Sequence, residues 1–460
     1  MNQVLSSRRF PLGVLLTLLF AAAPAKSAEV SFEQDSSLPI ITINVAFKAG
    51  SVTDPQGKKG LTNFMGEMLL RGTQGHSKKE IELAIDQMGA KLDFETRAES
   101  IILRGSVLSS QLEPYLKLLT EVITQPSFRE NEVIKLKSEI SSVIQEELGH
   151  DGALSNRAFT RYLFQGHPYG NPILGRIPDI KSLTHQDLIE HYQRLIQEPL
   201  LLVVGSGDST QEKVSQWASS LGQTLIAQQP AEAPSATLTK LTPPMIPEHR
   251  RLLIVDKPDR TQTQINLGQI GIQMTDPNYF KLYVGNHALG GHSFSSILMQ
   301  EIRVKRGWSY GANSAFRFGL QPRSWLVHLF PAAKDTPDAL AYTLKIMEDI
   351  KKDGISADRF EFAKKSLMNS SGFMYNTPSK RVENTLLEKT LNLPKGFMKS
   401  HAEQVAALNL NEVNQALKNF VKPENLTITV VGTAKNLRAP LAKAAGLTET
   451  MIEVEPYDLD

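Results

Sequence analysis

One pattern occurs twice in this chain, and it limits the possible folds more than any other feature. Leu200-Leu201-Leu202-Val203-Val204 runs into Gly205, and Leu426-Thr427-Ile428-Thr429-Val430-Val431 runs into Gly432. Short apolar, β-branched runs closed by glycine read as strands. Each follows an amphipathic stretch headed by a polar cap: Thr184 opens the one reaching Tyr192, and Asn409 opens the one reaching Phe420. The halves also begin alike. Pro39-Ile40-Ile41-Thr42-Ile43-Asn44-Val45 reads as a strand, as does Thr261-Gln262-Thr263-Gln264-Ile265-Asn266-Leu267 with its strict alternation. Between them, Pro230, Pro234, Pro243, Pro244 and Pro247 exclude a helix interior or a central strand. The expected organisation is α+β, with two homologous domains over 29–227 and 249–460 joined by a proline-rich linker over 228–248. Each domain would be a mostly antiparallel sheet covered by helices.

The segment 1–28 reads as a secretory signal: Arg8 and Arg9, an apolar stretch, then small residues near Ala25-Lys26-Ser27. The expected location is therefore the bacterial periplasm. Beyond it no run approaches the length needed to span a membrane, so no membrane association is expected after signal removal. The 460 residues include no cysteine, which excludes disulfides, thiolate nucleophiles and cysteine-based metal sites. Lys and Arg number 50 against 48 Asp and Glu, with no block of like charge, so nucleic acid is not an expected partner.

The most telling stretch is Gly60-Leu61-Thr62-Asn63-Phe64-Met65-Gly66-Glu67-Met68-Leu69-Leu70-Arg71-Gly72-Thr73. Before it stand Ala49-Gly50-Ser51, Asp54-Pro55 and Gly60; after it come Gly166-His167-Pro168-Tyr169-Gly170 and Leu174-Gly175. The second half carries Leu289-Gly290-Gly291-His292-Ser293 and then Glu301-Ile302-Arg303-Val304-Lys305-Arg306-Gly307-Trp308-Ser309-Tyr310. Taken in order, these pieces resemble the pitrilysin/insulinase family of zinc peptidases, which includes the mitochondrial processing peptidase, over nearly the whole chain. Peptidases of that family carry H-x-x-E-H on the first helix. Two histidines on one helix face grip zinc, and the Glu between them activates the bound water. A later Glu completes the site.

On this sequence the first His position falls on Asn63, the base on Gly66 and the second His on Glu67; Glu146 resembles the distant ligand, with Glu139 one heptad before it. Both imidazoles and the base are missing, and shifting the register by one places Phe64 and Met68 at the ligand positions. Asn63, Glu67 and Glu146 offer oxygen ligands suited to a weakly held hard cation such as Ca²⁺ or Mg²⁺, or else a solvated or internally paired acidic cluster. No metal is expected in this chain.

Arg303 and Tyr310 resemble an Arg/Tyr pair that, in two-chain bacterial members, sits on the subunit without the zinc motif and reaches into the partner's active site. A guanidinium and a phenol are donors able to hold a substrate carbonyl or a developing oxyanion. The alternative is a surface arginine beside an ordinary strand aromatic. Lys305 and Arg306 read as solvated charge. Gly290-Gly291-His292-Ser293 lacks the Gly-Lys-Ser/Thr of a phosphate loop and the geometry of a triad. The strand at 261–267 reads as half-buried sheet, or as an edge able to accept an extended peptide.

The resemblance implies a non-catalytic subunit of a periplasmic zinc peptidase. It would supply half of a chamber wall and the Arg303/Tyr310 pair to a related H-x-x-E-H partner that holds the zinc. Peptides or unfolded proteins would be the substrate. The alternatives are a peptide-binding or structural scaffold of the same fold, an enzyme built on the carboxylates, and a homodimer in place of a heterodimer.

Overall fold

The computed structural model describes residues 28–229, 241–292 and 294–459. The expected signal lies outside the described residues except for Ala28, as do residues 230–240 of the expected linker. The first half builds one sheet from β1 (Glu29–Gln34), β2 (Ile40–Phe47), β3 (Lys91–Thr96), β4 (Ile101–Leu108) and β5 (Leu201–Gly207), in the order β1-β5-β2-β4-β3. Only β1–β5 is parallel. The second half uses β6 (Arg251–Asp256), β7 (Gln264–Ile270), β8 (Ser309–Phe316), β9 (Ser324–Pro331), β10 (Thr427–Gly432) and β11 (Ile452–Pro456). Its order, β11-β6-β10-β7-β9-β8, repeats that of the first sheet and adds β11 at one edge. Here β11–β6 and β6–β10 are parallel and the rest antiparallel. Both sheets are thus mixed, with antiparallel ladders in the majority, and each is backed by its own helices and apolar core.

The two capped helices form as the sequence indicates. Thr184 Oγ1 accepts from the Asp187 amide at 3.2 Å while the Asp187 carboxylate accepts from the Thr184 amide at 2.8 Å, opening helix His185–Leu195. Asn409 and Glu412 make the same reciprocal pair, at 3.0 and 3.3 Å, opening helix Leu410–Phe420. Such a box satisfies two backbone donors that a bare helix start leaves unpaired.

The strands that follow, β5 and β10, are buried along their whole lengths. The reason is an exchange of helices between halves. Helix Asp151–Leu163, from the first half, lies across β10 and β7 of the second sheet. Helix Pro378–Thr390, from the second half, lies across β5 and β2 of the first, where Val382 and Leu386 pack on Ala46, Ile102, Leu202 and Val204. A strand covered on both faces needs apolar side chains at every position, which accounts for the unbroken run before Gly205. Polar contacts fasten both helices. Glu383 pairs with Arg104, and Lys389 reaches Glu29 at 2.6 Å. On the other side Lys257 reaches Asp151 at 2.7 Å, and the Arg251 guanidinium stacks 4.3 Å from the Tyr162 ring.

One strand expectation needs correction. The segment at 261–267 does not alternate between core and solvent: the strand runs Gln264–Ile270, sits between β10 and β9, and is buried after its first residue. It is neither half-buried nor an edge. Helix Asp151–Leu163 covers the face that alternation assigned to water, and β7, paired on both sides, has no free edge for an added peptide strand.

Candidate functional site

Helix Leu61–Leu69 carries the degenerate motif, and a buried polar relay fixes its start. Gly60 enters with φ 90°, a left-handed conformation suited to glycine. The Asp54 carboxylate accepts from the amides of Gly60 and Thr62 at 2.7 and 2.8 Å, and from the Thr62 hydroxyl at 2.5 Å. Having donated to Asp54, the Thr62 hydroxyl accepts from His191 Nε2 at 2.7 Å. His191 Nδ1 in turn accepts from the Arg194 guanidinium at 2.7 Å. The imidazole is therefore neutral. Burial, reinforced by the Arg194 charge, pushes His191 down to about 3. Burial also lifts Asp54 to about 6 against the pull of its hydrogen bonds.

Further along, the zinc-ligand positions do not converge. Asn63 is buried. At Gly66 an added Cβ would lie 1.6 Å from Cζ of Phe94, on edge strand β3. The ring occupies the space that a side chain at this position would need. Glu67 is partly buried; burial raises its pKa, Arg71 lowers it and Glu139 raises it. Arg71, just past the motif helix, pairs with Glu139 and lies 3.5 Å from Glu132, so both acids rather than Glu146 tie helix Glu130–Gly149 to this segment. Glu146 lies exposed on helix Glu130–Gly149, with the exposed His150 at 3.8 Å. Among the described residues no three His, Asp or Glu side chains are grouped to hold a metal ion. A zinc ion does not fit here: there is no imidazole on the helix, and the base position is packed by an aromatic ring.

The second half presents the opposite picture. Arg303 lies in the widened helical turn Met299–Val304, and Tyr310 lies on edge strand β8. The Arg303 guanidinium sits 4.2 Å from the Tyr310 ring centroid and 5.3 Å from that of Phe294. Tyr310 is 74% exposed and Phe294 63%. The pairing of β8 with β9 shifts register between Ser309 and Ala312, and the Ser309 hydroxyl closes the irregularity by donating to Gly311 O at 2.6 Å. An edge-strand bulge of this kind re-aims a side chain. Behind it, Gly290 in the widened turn His287–Gly291 packs so closely that an added Cβ would lie 2.5 Å from the Ser314 amide. The half-buried Arg303 and the exposed Tyr310 therefore stack as one pair at the surface.

Their neighbours differ from the expectation. Lys305 and Arg306 are not simply solvated: both bind Glu301, at 2.5 and 2.9 Å, and Arg306 stacks 3.5 Å from the Tyr342 ring. The clamp anchors the turn that carries Arg303. Sequence reasoning also missed Phe94 and the relay through Thr62, His191 and Arg194. Alternation on β3 could have marked Phe94 as facing inward, but not what it fills.

With this geometry in place, the chain can be compared with known proteins. Residues 29–176 match the family described as insulinase (peptidase family M16), and residues 182–367 match the peptidase M16 inactive domain. Among curated relatives, a non-peptidase homolog YmxG from Helicobacter pylori is 24% identical over 88% of this chain and 92% of its own. A Bacillus subtilis protein named as an uncharacterized zinc protease YmxG is 22% identical over 89% of this chain and 97% of its own. The crystal structure of a peptidase M16 inactive domain from Pseudomonas fluorescens superposes with a TM-score of 0.82 at 23% identity, covering 89% of this chain and 96% of that one.

Proposed function

The chain belongs to the insulinase family of peptidases, M16, and from that premise we propose that it is the non-catalytic subunit of a zinc-dependent peptidase. It is exported to the periplasm with 1–28 removed, and pairs there with a related chain bearing H-x-x-E-H and the zinc. It does not hydrolyse peptides alone. Its contribution is part of the wall around the substrate, together with Arg303 and Tyr310 as fixed donors toward the partner's active site.

The observation that carries this reading is the Phe94 ring packed against Gly66. A merely worn site would leave a gap where the base stood; here the gap is filled and the helix is committed to packing. The name non-peptidase homolog on the Helicobacter pylori relative supports the same view. In contrast, Tyr310 stays exposed and the half-buried Arg303 side chain is held, among the described residues, by ring contacts with Tyr310 and Phe294. A guanidinium held by stacking keeps all its N–H donors available, and such donors stabilise an oxyanion most where water is excluded.

The test is co-expression with a related H-x-x-E-H chain and cleavage of a quenched fluorescent peptide. Activity should require both chains, and Arg303→Ala should lower kcat by about 10²–10³ in the complex, the usual cost of losing one oxyanion donor. Full activity in that variant would point instead to a scaffold. Chelator-sensitive cleavage by the isolated chain would remove the proposal altogether.

A further inference from the structure

The seam between the halves contains a pocket of about 370 Å³ that the Arg303/Tyr310 pair does not line. One wall is helix Asp151–Leu163 with Asn156, Arg157 and Thr160; the other is the β8–β9 connection with Arg317 and Arg323. Three guanidinium groups thus line one small space; that of Arg157 is already engaged, donating to Gly175 O at 2.8 Å and lying 3.7 Å from Glu147, the one carboxylate in the lining. Arg317 and Arg323 have no ion pair or side-chain hydrogen bond among the described residues. Arg323 Nε is also buried without an acceptor. A buried donor left unpaired costs about 1–3 kcal/mol, so an acceptor entering this pocket would gain that contact.

The arrangement is also pre-set. The Arg323 guanidinium stacks 4.9 Å from the Tyr169 ring. The Tyr169 hydroxyl donates to the buried Glu99 carboxylate and accepts from the Gln321 amide at 2.9 Å. Glu99 also accepts from the Leu320 amide at 3.2 Å, so its carboxylate is engaged in holding the connection. Partial withdrawal from water, then the charge of Arg323, lower the pKa of Arg317.

We propose that this seam pocket binds a carboxylate, namely the C-terminal carboxylate of a peptide, between Arg157, Arg317 and Arg323. Arginine forks match carboxylate geometry with paired N–H donors, and one such end fits a pocket of this size. The identity of the occupant rests on the peptide-handling role proposed above; a free inorganic anion shares the chemistry and is the alternative source.

The experiment uses the purified full chain and an N-terminally fluorescein-labelled oligoalanine, as the free acid or the C-terminal amide, read by fluorescence anisotropy. The acid should bind at least about tenfold tighter than the amide, as expected for losing a charge-assisted pair. Arg317→Gln, on the open side of the pocket, should erase most of that preference, and Arg323→Gln should do the same if the variant folds. Lys345→Gln, which removes a distant exposed charge, should leave it intact. Equal affinity for acid and amide overturns the assignment, as does an equal loss in Lys345→Gln. Binding of inorganic phosphate without any preference for the acid overturns the peptide assignment in favour of a free anion. If the acid preference holds while Arg303→Ala leaves the two-chain complex unaffected, the subunit reading fails and this pocket stands. The reverse result removes the pocket alone.

Discussion

The two halves repeat one strand order, yet they treat their outer edges in opposite ways. In the first, the edge strand β3 turns Phe94 inward against Gly66, and the motif helix closes over it. In the second, the edge strand β8 bulges and turns Tyr310 outward beneath Arg303. A glycine abuts the edge strand in both cases, Gly66 on one side and Gly290 on the other. What differs is which partner the edge supplies: a hydrophobic plug or an exposed polar pair. The comparison teaches that the degenerate motif helix is committed to packing, with the Phe94 ring in the space a side chain at Gly66 would need. The role proposed for Arg303 and Tyr310 falls on the half whose edge stays open.

The strongest way to break this contrast is to rebuild the motif. Asn63→His, Gly66→Glu and Glu67→His together should destabilise the chain by about 3 kcal/mol in denaturant titration, because the new side chain overlaps the Phe94 ring. Zinc binding measured on the same protein should stay below one ion per chain. Adding Phe94→Ala should recover part of the loss, a coupling that only neighbours show. Stoichiometric zinc in the triple variant with Phe94 in place would end the distinction.

The buried relay offers a second test. His191→Leu strands Thr62 and Arg194 and should cost about 2 kcal/mol at pH 7. The sign of its pH dependence follows from the shift. The folded chain holds His191 at about 3, so the unfolded chain takes up a proton first and this residue's stabilisation is lost as pH falls below about 6.5. Asp54, held at about 6, acts in the other direction in both proteins. The stability gap between wild type and His191→Leu should therefore narrow by about 2 kcal/mol between pH 7 and 5.

Smaller effects are expected on the open side. In the isolated chain Arg303→Ala forfeits only exposed stacking and should cost less than about 1 kcal/mol. Glu146→Gln, at an exposed position, should fall within about 0.5 kcal/mol of wild type. A large stability loss from either would mean that these residues are structural.

What the sequence could convey follows from the range of each interaction. Caps are local: Thr184 with Asp187 and Asn409 with Glu412 lie three residues apart, so both helix starts were legible. That Gly66 offers no side chain was legible from the sequence alone. The filling of that site was not, because Phe94 arrives from another strand and its alternation specifies a face without specifying a neighbour. Likewise the polar face of the strand at 261–267 could not be separated from solvent exposure, since its cover comes from a helix in the other half. Arg306 read as surface charge because its Tyr342 partner is distant in sequence.

The exchanged helices have a mechanical consequence. To swing the halves apart, the chain would have to peel Val382 and Leu386 off one sheet and Phe159 off the inter-half cluster, exposing both to water at once. Among the described residues the clasp opposes a hinge motion between the halves. Any opening between the halves would carry the cost of wetting both packed surfaces together.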